Sequence, residues 1–202
     1  THVVIYHAGK NALDLGSATR VYWTFKVLGH DNVSILNGGY AAYTKAKDKN
    51  KKTINRVERG NNAYSAKAFK ASVRQDMLID SGDVSAATND SSVGLVDLRP
   101  NHQYIGINRH GKAKRNGTIP SSKNLPESWL TKNGGGTMRD AKDVRKLFSL
   151  AGVNSNGEQI HFCNTGHWAS LGWFAESEIL GNKSAKLYDG SMVDWSANMS
   201  LP

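Results

Sequence analysis

Cys163 is the only cysteine in a chain of 202 residues, and Asn164-Thr165-Gly166-His167-Trp168 follows it directly. A thiol, an amide, a hydroxyl and an imidazole within so short a span are side chains suited to nucleophilic chemistry. Ile160-His161-Phe162 reads as the end of a short buried strand and Trp168 to Leu180 as a helix. The residues between must therefore wrap a tight loop at a helix N-terminus. The first N–H groups of a helix lack intrahelical partners and carry the positive end of the macrodipole, so an anion among them is stabilised. A cysteine held there is expected to have a lowered pKa and to react as a thiolate. The plainer alternative is a small buried hydrophobe. A metal site is a third option, since His161, Cys163 and His167 are closely spaced, but no ligand pair of zinc-like spacing stands elsewhere and no metal is expected. A phosphatase loop would need an arginine where the chain has Ala169.

The elements that must position this loop can be read in order. His2-Val3-Val4-Ile5-Tyr6 is a β-branched run of strand length, followed by a loop through Gly9 and Gly16. Ser17 to Leu28 then places Val21, Phe25 and Leu28 on one helical face, closed by Gly29. Val33-Ser34-Ile35-Leu36 is a second strand, ended by Asn37-Gly38-Gly39, with a short helix from Tyr40 to Ala46. Residues 47–89 are polar, with few apolar anchors such as Phe69, Met77, Leu78 and Ile79, and read as an ordered linker with a small helix over Gly82 to Thr88. A fresh buried strand runs from Ser92 to Asp97, a helical turn from Pro100 to Gly106, and a basic glycine-rich loop to Gly117. An amphipathic helix follows from Arg139 to Ala151, with Val144, Leu147 and Phe148 on its apolar face. Beyond the cysteine strand and its helix come a strand from Ala185 to Tyr188 and Asp189-Gly190-Ser191 leading into a last helix. Strands alternating with helices argue an α/β fold, a parallel sheet flanked by helices.

Composition sets the outer limits. The content of 39% hydrophobic residues suits a globular chain, and no apolar run is long enough to span a bilayer. The net charge of +9 raises nucleic acid as a partner, yet the basic residues are dispersed except at Lys45 to Lys52 and Arg109 to Arg115, and neither cluster interleaves with aromatics. Neither nucleic-acid binding nor membrane insertion is expected. A single cysteine excludes an intramolecular disulfide without fixing the compartment, so bacterial periplasm and cytoplasm both stay open, with the periplasm slightly preferred. No signal peptide is visible at Thr1, and since the chain opens directly on a strand-like run, that absence says little.

Two stretches repeat at a separation of 152 residues: Gly29 matches Gly181, Asn37-Gly38-Gly39 matches Asp189-Gly190-Ser191, and Tyr43 matches Trp195. Tyr43 and Trp195 are expected in the core, and Tyr6 or His7 takes the place of Cys163. The segment Leu28 to Gly39 resembles the helix–strand–turn unit of rhodanese domains. Val96-Asp97-Leu98-Arg99, Gly117-Thr118-Ile119-Pro120 and Cys163 to His167 resemble that family's opening strand, its glycine–x–isoleucine–proline turn and its persulfide loop. The resemblance implies a tandem sulfurtransferase of the thiosulfate or 3-mercaptopyruvate type. Residues 1–46 would be a partial, catalytically silent domain, 47–89 the linker and 90–202 the catalytic domain. The first repeat lacks the front half of the domain, through truncation by preference or through degeneration otherwise.

For mechanism, the resemblance implies that the Cys163 thiolate takes the outer sulfur of a small donor and holds it as a persulfide, with Asn164, Thr165, Gly166, His167 and Trp168 as the binding loop. A thiol or cyanide, or a protein sulfur acceptor, would remove it, and no organic cofactor is needed. The loop carries neutral Asn164 and Thr165 where thiosulfate-type loops are basic, and the family's substrate arginine falls at about Gln103. Arg109, Lys112, Lys114 or Arg115 would then supply the missing charge. Asp97 and Arg99 read as structural. The alternative function is a rhodanese-like sulfur carrier or binding module with little activity on small donors.

Overall fold

The computed structural model describes residues 1–61 and 65–202; residues 62–64, within the expected linker, lie outside the described residues. Strands β1 (Val3–Ile5) and β2 (Val33–Ile35) pair in parallel as a two-stranded sheet, joined by helix α1 (Ala12–Val27) and followed by α2 (Gly39–Lys45). After the connecting segment come α3 (Ser81–Ala87), β3 (Gly94–Asp97), α4 (Asn101–Tyr104), β4 (Lys123–Asn124) and α5 (Ala141–Leu150). Then β5 (Gln159–Phe162), α6 (His167–Phe174) with a π-helical turn over Ala175–Ile179, β6 (Ala185–Leu187) and α7 (Ser191–Trp195) complete the chain. The second sheet is parallel throughout, in the order β4-β3-β5-β6, and Leu78 bridges to Leu187 on its outer edge.

Alternation along the strands divides the core. Leu95, Ile160 and Phe162 face Val84 and Ala87 of α3 and Met192 and Trp195 of α7. Val96, Ala185 and Leu187 face the opposite way, into a cluster that also takes Val144 and Phe148 of α5, Leu171 and Trp173 of α6, and Leu15, Tyr22 and Trp23 of α1. The two sheets therefore share one core through the contact of α1 with α6. The Tyr22 ring meets Phe174 edge-on at 5.0 Å, and Thr19 and Ser170 hydroxyls pair at 2.9 Å.

Two sequence expectations shift here. Helix α1 starts at Ala12, ahead of the expected Ser17, with Asn11 as its N-cap accepting from Asp14 N at 2.9 Å. Gly16 is not a loop residue but the point where the helices touch, because a Cβ there would lie 2.9 Å from the His167 carbonyl oxygen. The short β4 is an addition to the expected elements; its two residues carry no apolar pattern that would reveal it.

The repeat is visible in the backbone itself. The ladders open on Val3–Val33 and Gln159–Ala185, and stepping forward along β1 and β5 sets His7 against Cys163. His7 O accepts from Tyr40 N at 2.7 Å and Cys163 O from Met192 N at 3.0 Å; Ala8 O and Ala41 N, Asn164 O and Val193 N repeat the pattern. Gly39 and Ser191, at equivalent places, both take positive φ, 58° and 52°. Trp195 is buried as expected, whereas Tyr43 is 36% exposed because α2 covers only a two-stranded sheet.

Asp97 and Arg99 form a fully buried ion pair at 2.6 Å at the end of β3. Asp97 also accepts from Arg99 N and Thr118 Oγ1, and Arg99 Nη2 donates to Gly117 O at 2.8 Å, so the pair fastens the Gly117–Pro120 turn to the sheet. Removing one member leaves the other charged and buried. Arg99→Ala is expected to lower stability by about 3–5 kcal/mol, read as a fall in the urea midpoint; a loss under about 1 kcal/mol would contradict this role.

Candidate active site

Cys163 lies immediately after β5, at the carboxyl edge of the sheet, where open parallel sheets bind ligands. The residue is 1% exposed. Gly166 donates its N–H to Cys163 Sγ at 3.2 Å, and the Ser191 hydroxyl stands 4.0 Å from the sulfur while accepting from Cys163 N at 3.0 Å. Gly166 is the N-cap of α6 at φ 84°, a left-handed conformation that turns its N–H inward.

The expected direction of the thiol pKa is corrected here. Burial is the largest effect and pushes the Cys163 thiol up; the N–H groups of Ala169, Thr165 and Gly166 and the Ser191 hydroxyl pull it down without prevailing. The loop amides are aimed as expected, but removal of the sulfur from water outweighs them.

The structure brings together some of the expected site residues and separates others. Asn164 is buried and donates through Nδ2 to Gln103 Oε1 at 2.9 Å, while its Oδ1 has no partner among the described residues. Thr165 and His167 pair loosely at 3.4 Å, with His167 exposed at the rim. Trp168 is half-buried beside Gly16, and its Nε1 has no partner among the described residues. Arg109 donates to Ala113 O at 2.6 Å, inside its own loop. Arg115 braces the C-terminal segment through Leu201 O at 2.6 Å and the carbonyls of Trp195 and Asn198. Both guanidinium groups are thus engaged with backbone. His161, one of the closely spaced ligand candidates, turns into the core and pairs with Glu176 at 2.6 Å, out of reach of a ligand set with the loop.

The family profile for the rhodanese-like domain matches residues 80–198. The chain belongs to the rhodanese-like family. Among curated relatives, a provisionally named thiosulfate sulfurtransferase of Haloferax volcanii is 31% identical over 99% of this chain and 68% of its own length. The 3-mercaptopyruvate sulfurtransferase of Escherichia coli is 26% identical over 100% of this chain and 67% of its own. Among solved structures, an EanB variant in complex with ergothioneine superposes with a TM-score of 0.81 at 22% identity, covering 100% of this chain and 50% of that one. The E. coli 3-mercaptopyruvate enzyme superposes with 0.75 at 24% identity, covering 95% and 66%. The chain thus spans about half the length of the first of these structures.

In this rhodanese-like chain the loop that follows β1 differs from the Cys163 loop in chemistry as well as in position. His7, at the place of Cys163, is buried with neither ring nitrogen partnered among the described residues, and burial lowers its pKa despite the nearby Asp14 charge. One group that sequence reasoning missed is Glu127, buried just after β4 at the same sheet edge as Cys163. The available signal was a carboxylate between Leu125 and Leu130, in a segment that must reach the core. Its Oε2 has no partner among the described residues, and burial, with a smaller push from Asp97, raises its pKa to about 7 against the donation of nearby backbone N–H groups.

Two measurements follow from these shifts. Iodoacetamide alkylation of Cys163 is expected to keep accelerating beyond the ordinary thiol value of about 8.5; a plateau reached by pH 8 would show that the amides dominate after all. A carboxyl raised on folding stabilises below its ordinary value of 4.5, and that stability is lost as pH rises through about 7. Thermal scans should therefore show Glu127→Gln flattening the decline between pH 5 and 8, a difference of up to ~3 kcal/mol; parallel curves for variant and parent would contradict it.

Proposed function

We propose that the chain is a sulfurtransferase that carries a sulfane sulfur on Cys163 from a small donor to a thiophilic acceptor. The single observation that carries this reading is the Cys163 sulfur set against the inward N–H of Gly166 at the head of α6, in a chain with no other thiol. The family and the names of its curated relatives support the reaction class.

In the proposed cycle the Cys163 thiol gives up its proton to solvent, and its sulfur attacks the outer sulfur of the donor. The S–S bond of the persulfide forms as the donor's bond to that sulfur breaks, and the electron pair leaves with sulfite or with the enolate of pyruvate. An acceptor thiolate or cyanide then attacks the outer sulfur and returns Cys163 as thiolate. The N–H groups around the sulfur hold the negative charge that burial alone disfavours. Residues 1–46 act as the silent unit and 90–202 as the catalytic unit joined by 47–89, with α3 and Leu78 of that connection packed onto the catalytic sheet.

Asn164 and Gln103, joined through their amides, offer dipoles where a cation would favour a dianion. This supports a donor with one carboxylate, of the mercaptopyruvate kind, over thiosulfate. Incubation with each donor followed by intact-mass measurement should add one sulfur (~32 Da), removable by dithiothreitol, more completely with 3-mercaptopyruvate. Cys163→Ser should gain nothing. Gain from neither donor would sink the transferase reading in favour of a carrier loaded by a partner protein, and gain by the serine variant would overturn the site.

A further inference from the structure

We infer that Arg20, on α1 of the silent repeat, is a positioning residue for the catalytic loop: paired with Asp189, it locks Gly166 so that its N–H stays on Cys163 Sγ. The transfer role of Cys163 is taken from the proposed function, but the inference concerns the ionisation of the thiol itself.

Arg20 Nη1 forms an ion pair with Asp189 Oδ1, across the seam between the repeats. The guanidinium carbon lies 5.2 Å from the ring centroid of Trp23, a core residue, which helps to hold the guanidinium in place. The same group rests on the loop. A Cβ built on Gly166 would overlap Arg20 Nη1 and stand 2.5 Å from Asp189 Oδ1 and 3.0 Å from Asp189 O, so the pair forms the wall against which this glycine is seated. On its other side Gly166 donates to the sulfur. Asp189 opens the same turn that grips the cysteine backbone, since Ser191 Oγ accepts from Cys163 N and Met192 N donates to Cys163 O.

Magnitudes separate two uses of such a pair. The side chains of Arg20 and Asp189 are 24% and 44% exposed, and ion pairs as wet as this contribute 0 to about 1 kcal/mol to stability. Global stability is a weak reason for the pair. Its location is the stronger one: of the groups that oppose the upward push of burial on Cys163, the Gly166 amide is the one whose carbon it touches. The silent repeat in this way supplies a part that the catalytic loop cannot supply for itself.

The test is the pH profile of Cys163 alkylation by iodoacetamide, followed by intact mass, on the full chain. The midpoint reports ionisation and the plateau rate reports access, so the two effects are read apart. Arg20→Gln and Asp189→Asn should each raise the midpoint by about one pH unit, the double variant should shift no further than either single one, and Arg20→Lys should recover part of the shift. Unchanged midpoints in folded Arg20→Gln would overturn the inference. So would a lowered midpoint in Asp189→Asn, the sign expected if the carboxylate acts on the thiolate only through its charge; should Arg20→Gln fail to fold, Arg20→Lys and Asp189→Asn decide. None of these readings requires turnover, so even a chain inactive toward every donor would reveal whether Arg20 sets the ionisation of the thiol.

Discussion

The sulfur of Cys163 is held between removal from water, which favours the neutral thiol, and a ring of inward donors, which favours the anion. Neither influence belongs to the cysteine. The first comes from the shared core packed beneath it, and the second from the Gly166 turn, the start of α6 and Ser191. A site built on such opposition responds to small displacements, because an amide that swings away leaves burial unopposed. The surrounding contacts can be understood as restraints on that swing: Ser191 on the cysteine N–H, Met192 on its carbonyl, and the bond between Asn164 and Gln103 on the next side chain.

The backbone around Cys163 has a counterpart around His7. His7 and Cys163 accept equivalent hydrogen bonds from Tyr40 and Met192, and the turns at Gly39 and Ser191 share a left-handed conformation. Backbone geometry therefore does not distinguish the His7 loop from the Cys163 loop; side chains do. A buried imidazole whose nitrogens have no partner among the described residues stands in one and a thiol ringed by donors in the other. Because α1 and α6 bury their facing sides in one cluster, the β1–α1–β2 unit is also a structural wall of the unit that holds Cys163.

Much of this can be read in the sequence, and for identifiable reasons. The strand-to-helix junction at Cys163 and the paired turns announce themselves through glycines that only certain turns require, so the α/β order and the repeat are legible. Short-range pattern cannot show three other features. Gly16 looks like a breaker until α6 is laid against it, since the cause of its presence is the His167 carbonyl from the other repeat. His161 has no visible partner in the sequence because Glu176 reaches it only after the chain has turned through α6 and its π-helical end. The direction of the thiol shift depends on how completely the loop is covered, a tertiary quantity that no local motif encodes. Arg20 is invisible for the same reason, its partner lying 169 residues away.

The contact of α1 with α6 has an electrostatic side as well. Gly16 meets His167, Thr19 meets Ser170 and Tyr22 meets Phe174, so the two helices advance in the same direction. Side-by-side helices that run alike set their dipoles in mutual repulsion, and apolar packing must hold them together against it. In return both positive ends emerge at one place, so that an approaching anion meets the field of two helices, one of which carries no thiol of its own.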